Sequence, residues 1–370
     1  MNKRLLYIIL AVVVPLLSSC IYDKEDTEVQ NDAITSKYIS FSVDVARQAT
    51  VTKADGFDWD DNYPSVVGNT FENRILTGDL QVFVYDMEGN YFATVQNISY
   101  GGLQQDAGIY EFFGVLQSDK INPDLEIDSG TQFMLVVAAN CGAVTEKDGS
   151  PDLGALTFTN NWDLYPAQNS SIPMWGAKKI TINDEPVQDV GDIHLLRALA
   201  KVEVLLDDEI KGSYTITAAS ITKLYTTGYS FPNNWNTKET PTMLHENSFR
   251  EYGVAEAIVN NKNMMSLQNE SSGHLIYIPE IGNSKGDVRI SLTVVDKTNN
   301  SISYEFSGDQ AIRFAEYGDD GFLPANPEYF NIVRNHYYRY TINGVGPKEL
   351  NVICDVRPYA EVVLRPGFGL

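Results

Sequence analysis

Histidine and cysteine are the side chains that most often hold metals or carry nucleophilic chemistry, and this chain has few of either. Its four histidines are His194, His245, His274 and His336. None stands in a His-Glu-x-x-His or His-x-His arrangement, so their spacing indicates no zinc or iron site. We also find no Gly-x-Ser-x-Gly elbow, phosphate loop or dinucleotide fingerprint. The sequence therefore predicts a protein that is not an enzyme and has no cofactor.

One acidic cluster resembles part of a calcium loop, because Asp58, Asp60 and Asn62 alternate along the chain. A calcium loop of this type also needs glycine at its sixth position and glutamate at its twelfth. The glycine is missing, and Asn69 stands at the twelfth position. We interpret the cluster as a solvated acidic loop.

Cys20 has a chemical role that its neighbours define. Lys3 and Arg4 give a positive start, and an apolar run follows over residues 5–17. About 13 helical residues rise only about 20 Å, less than the roughly 30 Å of a bilayer's hydrocarbon core, which favours a signal peptide over a spanning helix. Leu-Ser-Ser-Cys at 17–20 matches a bacterial lipobox, in which cleavage precedes a cysteine whose thiol takes a diacylglycerol. The alternative is an ordinary cleavage site that happens to carry a cysteine.

Arg47 ends the first predicted strand, residues 38–47. Period-two alternation predicts a strand with one buried face. The alternating apolar residues are Ile39, Phe41, Val43 and Val45. A cut of the Arg47–Gln48 bond would remove this strand together with the lipid tether. The groove left behind would be apolar, with unpaired backbone groups along both walls, and would template the addition of another strand.

A strand that could fill such a groove lies in residues 349–364. Its alternating apolar residues are Leu350, Val352, Cys354 and Val356, and Val362 and Leu364 continue the pattern after Pro358. Used within the molecule, this strand would complete the chain's own second domain. Used between molecules, it would build a head-to-tail fibre that does not close.

The elements that must position these residues are strands along the whole chain. Further strands are predicted at 80–86, 91–100, 132–140, 195–206, 214–228, 273–280, 288–296, 301–308 and 336–344. Clusters of Asn, Gly, Asp and Pro separate them, which favours sandwiches over a doubly wound fold. A helix is expected near 151–166, and the first half of 195–206 could also be helical, because Leu and Ala favour helices.

The junction between two domains is predicted at 184–194, which is polar and acidic and contains Pro and Gly. This gives an all-β fold with two sandwich domains in tandem. The predicted division is a signal peptide at 1–19, a tether at 20–37, a first sandwich with a removable strand at 38–190, and a second sandwich with the candidate donor strand at 191–370.

The composition of the chain limits the kinds of partner that it can bind. The net charge of −22 repels phosphate backbones, so we expect no nucleic acid to bind. The chain has 21 tyrosines, a content that is typical of strands with one buried and one solvated face. Cys141 and Cys354 could form a disulfide in an oxidising compartment, but we favour two separate small apolar residues.

Five features occur in an order that resembles the fimbrillins, the subunits of type V pili, which assemble by protease-triggered strand exchange. The features are the lipobox, the strand ending in Arg47, Ser-Ile-Pro-Met-Trp-Gly at 171–176, Arg-Ala-Leu-Ala-Lys-Val-Glu-Val at 197–204, and Val-Arg-Asn-His-Tyr-Tyr-Arg-Tyr-Thr-Ile at 333–342. The resemblance covers nearly the whole mature chain.

This resemblance implies two transthyretin-like β-sandwich domains and export as a lipoprotein to the outer membrane, with the lipid on Cys20. It implies cleavage between Arg47 and Gln48 by an arginine-specific protease, and a donor strand within residues 349–370. The partners it implies are other fimbrial subunits, joined head to tail at the cell surface in a fimbria that supports adhesion. The chain would then be a stalk or tip subunit.

Two alternatives stay open. A pilus anchor subunit would keep its first strand and its lipid, and Arg47 argues against that role. A glycan-binding surface lipoprotein would display aromatic rings on loops, for which Trp162, Trp175 and Trp235 are candidates. The other interpretation of these rings is that they fill the cores and edges of sheets.

Overall fold

The computed structural model describes residues 36–45, 70–104, 109–117, 127–159, 171–232, 235, 258–259, 261–266, 273–299 and 302–358. The first eleven strands are β1 (Ser36–Val45), β2 (Leu80–Tyr85), β3 (Tyr91–Thr94), β4 (Gln96–Gln104), β5 (Ile109–Gln117), β6 (Gln132–Ala139), β7 (Glu146–Lys147), β8 (Ser150–Pro151), β9 (Thr157–Thr159), β10 (Met174–Thr181) and β11 (Val187–Arg197).

The remaining strands are β12 (Leu199–Leu206), β13 (Tyr214–Ile221), β14 (Leu224–Tyr225), β15 (Thr227–Tyr229), β16 (Ile258–Val259), β17 (Lys262–Asn263), β18 (Met265–Ser266), β19 (His274–Pro279), β20 (Arg289–Asp296), β21 (Ile302–Phe306), β22 (Ile312–Arg313), β23 (His336–Val345) and β24 (Leu350–Pro358). Short 3-10 turns lie at Thr70–Asn73, Leu153–Ala155 and Gly308–Gln310. The predicted all-β fold class is confirmed.

Eight strands of the first half form one sheet in the order β3-β2-β6-β10-β11-β1-β5-β4. The apolar run of β6 explains its interior place, because a strand covered on both faces needs no polar alternation. Phe133, Leu135 and Val137 of β6 face the first core, while Met134 and Val136 face a separate cluster on the other side. The sheet therefore carries packing on both faces at its centre.

Two sheets of the second half enclose a second core. Their orders are β18-β19-β12-β23-β24 and β17-β13-β20-β21, and β22 pairs with β20. Strand β20 alternates strictly between partly buried and buried residues, as its period-two sequence predicts. Val294 of β20 and Tyr340 of β23 both belong to this core. The two sheets thus pack face to face through their apolar sides.

Most of the predicted junction at 184–194 lies in a strand, because β11 begins at Val187 and pairs with β1. The expected strand 195–206 is interrupted at Ala198, whose N–H donates to the Pro173 carbonyl at 2.8 Å. Leu199 belongs to the first core and Ala200 to the second, so the chain passes from one core to the other at this point. The division of the chain at residue 190 stays a prediction.

A third cluster joins strands of the first sheet to the second half. Trp175 packs against Phe231 with ring centroids 5.6 Å apart, and Val333 belongs to the same cluster. Beside it, Arg334 and Glu280 form a fully buried bidentate ion pair with N–O distances of 2.6 and 2.9 Å. The described residues between 36 and 358 accordingly belong to one compact unit.

Two local expectations differ from the structure. In the described part of 151–166, a 3-10 turn and β9 replace the expected helix, since Pro151 and Gly154 disfavour helical continuation. The strand expected over 91–100 is divided between β3 and β4, and Asn97 has a φ of 52°. Arg197, at the end of β11, is buried, and its Nε donates to the Glu72 carbonyl at 3.0 Å.

Candidate functional site: the first strand and the last

Strand β1 lies inside its sheet, between two other strands. It pairs in antiparallel fashion with β5 from Ser36 opposite Gln117 to Asp44 opposite Ile109. On its other side it runs parallel to β11, from Tyr38 opposite Val187 onward. Because both edges of β1 are paired, its removal would leave unpaired backbone groups on both neighbours.

The inner face of β1 is fully packed. Ile39, Phe41, Val43 and Val45 are all buried, none more than 5% exposed. Phe41 stacks on Phe112 of β5, with ring centroids 5.6 Å apart and an interplanar angle of 18°. Tyr100 of β4 continues this row, 5.8 Å from Phe112. The predicted alternation of this strand is present in the structure, and its aromatic residue, Phe41, stands at one end of the row.

The outer face of β1 is tied to β11 by polar side chains. Ser42 Oγ donates to Asp192, and Asp44 contacts Nδ1 of His194. Both contacts join residues that stand opposite each other in the ladder. The hydrogen bond to Asp44 raises the pKa of His194, and the negative charge of Asp192 acts in the same direction. The protonated imidazole therefore holds β1 more strongly than the neutral one.

The modification sites predicted from the sequence lie outside the described residues. These are Cys20, the lipidation site, and the Arg47–Gln48 bond. The last described residue of β1 is Val45, two positions before Arg47. The acidic cluster at 58–62 and Trp162 also lie outside the described residues.

The first part of the candidate donor segment forms β24. This strand pairs with β23 from His336 opposite Pro358 to Val345 opposite Leu350, and it ends the five-stranded sheet. Leu350 and Val352 are buried in the second core, and Cys354 packs against it. Val356 is exposed, and Val362 and Leu364 lie outside the described residues.

The beginning of β24 is covered along its outer edge. The Val352 N–H donates to the carbonyl of Gly321 at 2.8 Å. Gly321 has a φ of +78°, and a Cβ there would stand 3.1 Å from the Val352 nitrogen, so this close approach requires glycine. The edge of β24 is therefore capped near its start by a loop from within the same half.

Cys141 and Cys354 are free thiols in the structure, as the favoured interpretation of two separate residues predicts. Cys141 is buried, and its Sγ lies 3.2 Å from the Ala139 carbonyl. Burial raises the pKa of each thiol to about 12. Both side chains are therefore in the unreactive thiol form at neutral pH.

The aromatic residues proposed for glycan binding are placed differently from that hypothesis. Trp175 is 2% exposed and Trp235 is 8% exposed, and both lie in the third cluster. Within the described residues, no group of three or more His, Cys, Asp and Glu side chains is arranged to hold a metal. In the same part of the chain, no helix combines the length and apolar character needed to cross a bilayer.

Sequence reasoning missed the walls of the groove around β1. Neither β5 nor β11 is among the predicted strands, although Ile193 and Leu195 of β11 alternate with polar residues. The parallel pairing of β1 with β11 joins positions about 150 apart, such as Asp44 and His194. No local signal in the sequence indicates a pairing over that distance.

Comparisons with known proteins show the fold of this chain. No protein-family model and no curated protein matches the sequence. Among solved structures, the tip fimbrial protein Mfa3 from Porphyromonas gingivalis, with a C-terminal truncation, is 13% identical. It aligns over 87% of this chain and 99% of its own length, with a TM-score of 0.52. The fold expected from the fimbrillin resemblance is confirmed by this likeness.

Two further solved structures align over similar lengths. A fimbrilin from Porphyromonas gingivalis W83 is 18% identical and covers 88% of this chain and 98% of that one, with a TM-score of 0.44. A fimbrial assembly protein from Parabacteroides distasonis ATCC 8503 is 13% identical and covers 87% and 98%, also with a TM-score of 0.44. Of these three structures, the tip fimbrial protein Mfa3 alone shows the fold of this chain.

Proposed function

We propose that this chain is a structural subunit, stalk or tip, of a cell-surface fimbria. It is exported as a lipoprotein and polymerised by protease-triggered donor-strand exchange, and the fimbria supports adhesion. The observation that carries this proposal is the place of β1. An N-terminal strand in the interior of a sheet is joined to the rest of the chain only through residues 46–69, which contain Arg47 and Gln48.

The free energy of burying the apolar side chains of β1 supports its role as a strand that another strand can replace. Burying one Val, Ile or Phe side chain stabilises a protein by roughly 1.5–3 kcal/mol, so four of them contribute about 6–12 kcal/mol. That range is comparable with the whole stability of a typical domain, about 5–15 kcal/mol. A chain that has lost β1 therefore has a strong thermodynamic drive to accept another strand.

Export and release follow from the two modification sites. A diacylglycerol on Cys20 holds the precursor at the outer membrane, because each buried CH₂ contributes about 0.8 kcal/mol. An arginine-specific protease then cuts between Arg47 and Gln48. This single cut frees the subunit from its lipid and separates β1 from the rest of the chain.

The donor strand in this proposal lies within residues 349–370. The structure uses Leu350–Pro358 as β24, which contributes Leu350 and Val352 to the second core. If β24 itself is donated, that core loses both side chains. If the donor begins after Pro358, with Val362 and Leu364 as its apolar residues, the second core stays intact.

The pilus anchor role is the alternative that an observation favours. An anchor keeps its first strand, and β1 is fastened on its outer face by the Ser42–Asp192 and Asp44–His194 contacts. The two roles differ in one covalent property: a polymerising subunit lacks residues 1–47 at the cell surface, and an anchor retains Cys20 and its lipid.

The test is the N-terminal residue and intact mass of the protein taken from the surface of its native cells. A chain that starts at Gln48 without lipid supports the polymerising role. A chain that starts at acylated Cys20 contradicts it and leaves the anchor. Arg47→Lys keeps the positive charge but removes the arginine and should block both the cut and polymer ladders. Gln48→Ala keeps the arginine and should leave both intact.

A further inference from the structure

We infer that the groove around β1 selects its incoming strand by an aromatic side chain at the position of Phe41. Its partner is therefore a different subunit that carries such a residue, and not a second copy of this chain donating residues 349–364. This inference rests on the proposed function, since the groove opens only when β1 leaves. It adds the chemistry by which one strand is accepted and another refused.

The observation that carries the inference is a row of aromatic side chains that begins in the first core and ends on the edge strand β4, where Tyr100 is 45% exposed. Phe41, Phe112 and Tyr100 come from three neighbouring strands, with successive centroid distances of 5.6 and 5.8 Å. Phe41 is 3% exposed and Phe112 is fully buried. Without a ring at position 41, Phe112 loses its stacking partner and a cavity opens beside it.

The candidate donor segment of this chain has no residue that fills this position. When its apolar face points inward, the residues available are Leu350, Val352, Cys354, Val356, Pro358, Ala360, Val362 and Leu364. None is aromatic, so a shift of the strand by two positions in either direction still places no ring at the Phe41 position. Each of these side chains is smaller than Phe.

The opposite face of the same segment is excluded by charge. It carries Tyr359, but Arg357 and Glu361 stand on either side of it on that face. Burying these two charged side chains at the positions of Ile39 and Val43 would cost much more free energy than burying the tyrosine ring would gain. Farther along, Phe368 lies between two glycines, and Pro366 on its face cannot donate to a ladder paired on both sides.

The partner is thus defined by its pattern. It offers an extended segment with four apolar residues at alternate positions, of which the one at the Phe41 position is Phe or Tyr. The neighbouring positions take aliphatic residues of the size of Ile39 and Val43. The outward residues next to Asp192 and His194 are polar, as Ser42 and Asp44 are.

Peptide exchange on the cut chain tests the inference. After cleavage at Arg47, five peptides are compared by their dissociation constants: native residues 36–47, the same peptide with Phe41→Ala, residues 349–364, and two forms of residues 349–364 with an added ring. The ring is placed as Val352→Phe for entry in the direction of β1, or as Cys354→Phe for the reverse direction.

We expect the native peptide to bind at least about 100-fold more tightly than its Phe41→Ala form, given the cost of removing a buried Phe. Residues 349–364 should bind at least tenfold more weakly than native, and one of the two ring-bearing forms should recover that loss. Equal binding of residues 349–364 and the native peptide would overturn the inference, as would no gain from either ring. If no peptide binds, the exchange itself is absent and the proposed function fails.

A second measurement does not depend on exchange. In the full chain, Ile39→Leu with Val43→Cys gives β1 two of the residues of the 349–364 segment, and adding Phe41→Val gives it three. The triple variant should melt roughly 5 °C or more below the double variant, because only it opens the aromatic position. Equal melting temperatures for the two variants would overturn the inference whether or not a fimbria is formed.

Discussion

Strands β1 and β24 begin and end the described chain, and they are held in different ways. Strand β1 is paired on both sides and closes the middle of a sheet, whereas β24 is paired with β23 alone. Removing β1 would separate β5 from β11, while removing β24 would shorten its sheet at one edge and take Leu350 and Val352 out of the second core. Under the proposed function, the first and last described strands would therefore have different roles, because only the removal of β1 opens a groove between two strands.

Burial follows the same division. All four inward residues of β1 are buried, whereas β24 buries Leu350 and Val352 and leaves Ile353 50% and Val356 40% exposed. The stabilisation supplied by apolar burial is therefore concentrated in β1. Edge strands with exposed apolar residues are also the strands that other chains can pair with.

The largest contrast is expected from a buried charge. Val43→Asp places a carboxylate in the first core and should lower the free energy of unfolding by more than about 4 kcal/mol. Val356→Asp, on the exposed part of β24, should lower it by less than about 0.5 kcal/mol. Urea unfolding followed by tryptophan fluorescence measures both. Similar losses for the two variants would remove the contrast between the strands.

Thiol labelling should show a smaller but clear difference between β24 and the core. In a chain with Cys20→Ser, Cys354 on β24 should react faster with a maleimide than Cys141, by roughly tenfold or more, because edge strands open locally at lower free energy. Cys141 lies inside the third cluster and needs a larger opening. Mass spectrometry of timed samples separates the two sites, and faster labelling of Cys141 would contradict this order.

The pH dependence of β1 should be smaller still. The folded state raises the pKa of His194, so its stabilising contact is fully present below the ordinary value of about 6.5. That contribution is lost as the pH rises through the raised pKa. The stability difference between the native chain and His194→Gln should therefore be larger at pH 6 than at pH 8.5, and below about 1 kcal/mol because the ring is half exposed.

Asp44→Asn is the matched control for this measurement. It removes the carboxylate that raises the His194 pKa and keeps a hydrogen-bonding side chain of similar size at the same position. In that background the difference between pH 6 and pH 8.5 should shrink. An unchanged pH dependence would assign it to Asp192 or to another group.

The smallest change in the free energy of unfolding is expected on the edge strand β24. Ile353→Thr keeps a β-branched side chain on β24 and should change the unfolding free energy by less than about 0.5 kcal/mol. The same change at Ile39 of β1 should cost more than about 1 kcal/mol, because it buries a hydroxyl in the first core. Thermal melting of the two variants, side by side, shows which of them loses more stability.

How much of the molecule could be predicted from sequence depends on how local each signal is. Strands β1 and β20 were found because one face is buried and the apolar residues alternate. Strand β5 was missed because Phe113, an exposed aromatic, and Gly114 interrupt the pattern. Strand β11 was missed because two of its outward residues, Asp189 and Asp192, are acidic and Gly191 takes a positive φ of 69° at a bulge.

The candidate site was predicted in the same partial way. The candidate removable strand can be recognised from residues 38–47 alone, but its groove is built by strands that lie far away in sequence. The order in which those strands pair depends on tertiary packing, to which no short window of sequence is sensitive. The burial of Trp175 and Trp235 depends on the junction between the two halves, which has no local signature either.

The covalent link between β1 and the rest of the chain has a consequence for competition between strands. A strand tethered to its own groove competes at an effective concentration that reaches the millimolar range for short linkers. A free strand from another molecule must exceed that value to displace it. Cutting one peptide bond abolishes this advantage without changing a single contact in the groove. Under the proposed function, the cut of the tether, and not the tightness of β1's packing, would set the moment at which the groove becomes available to another strand.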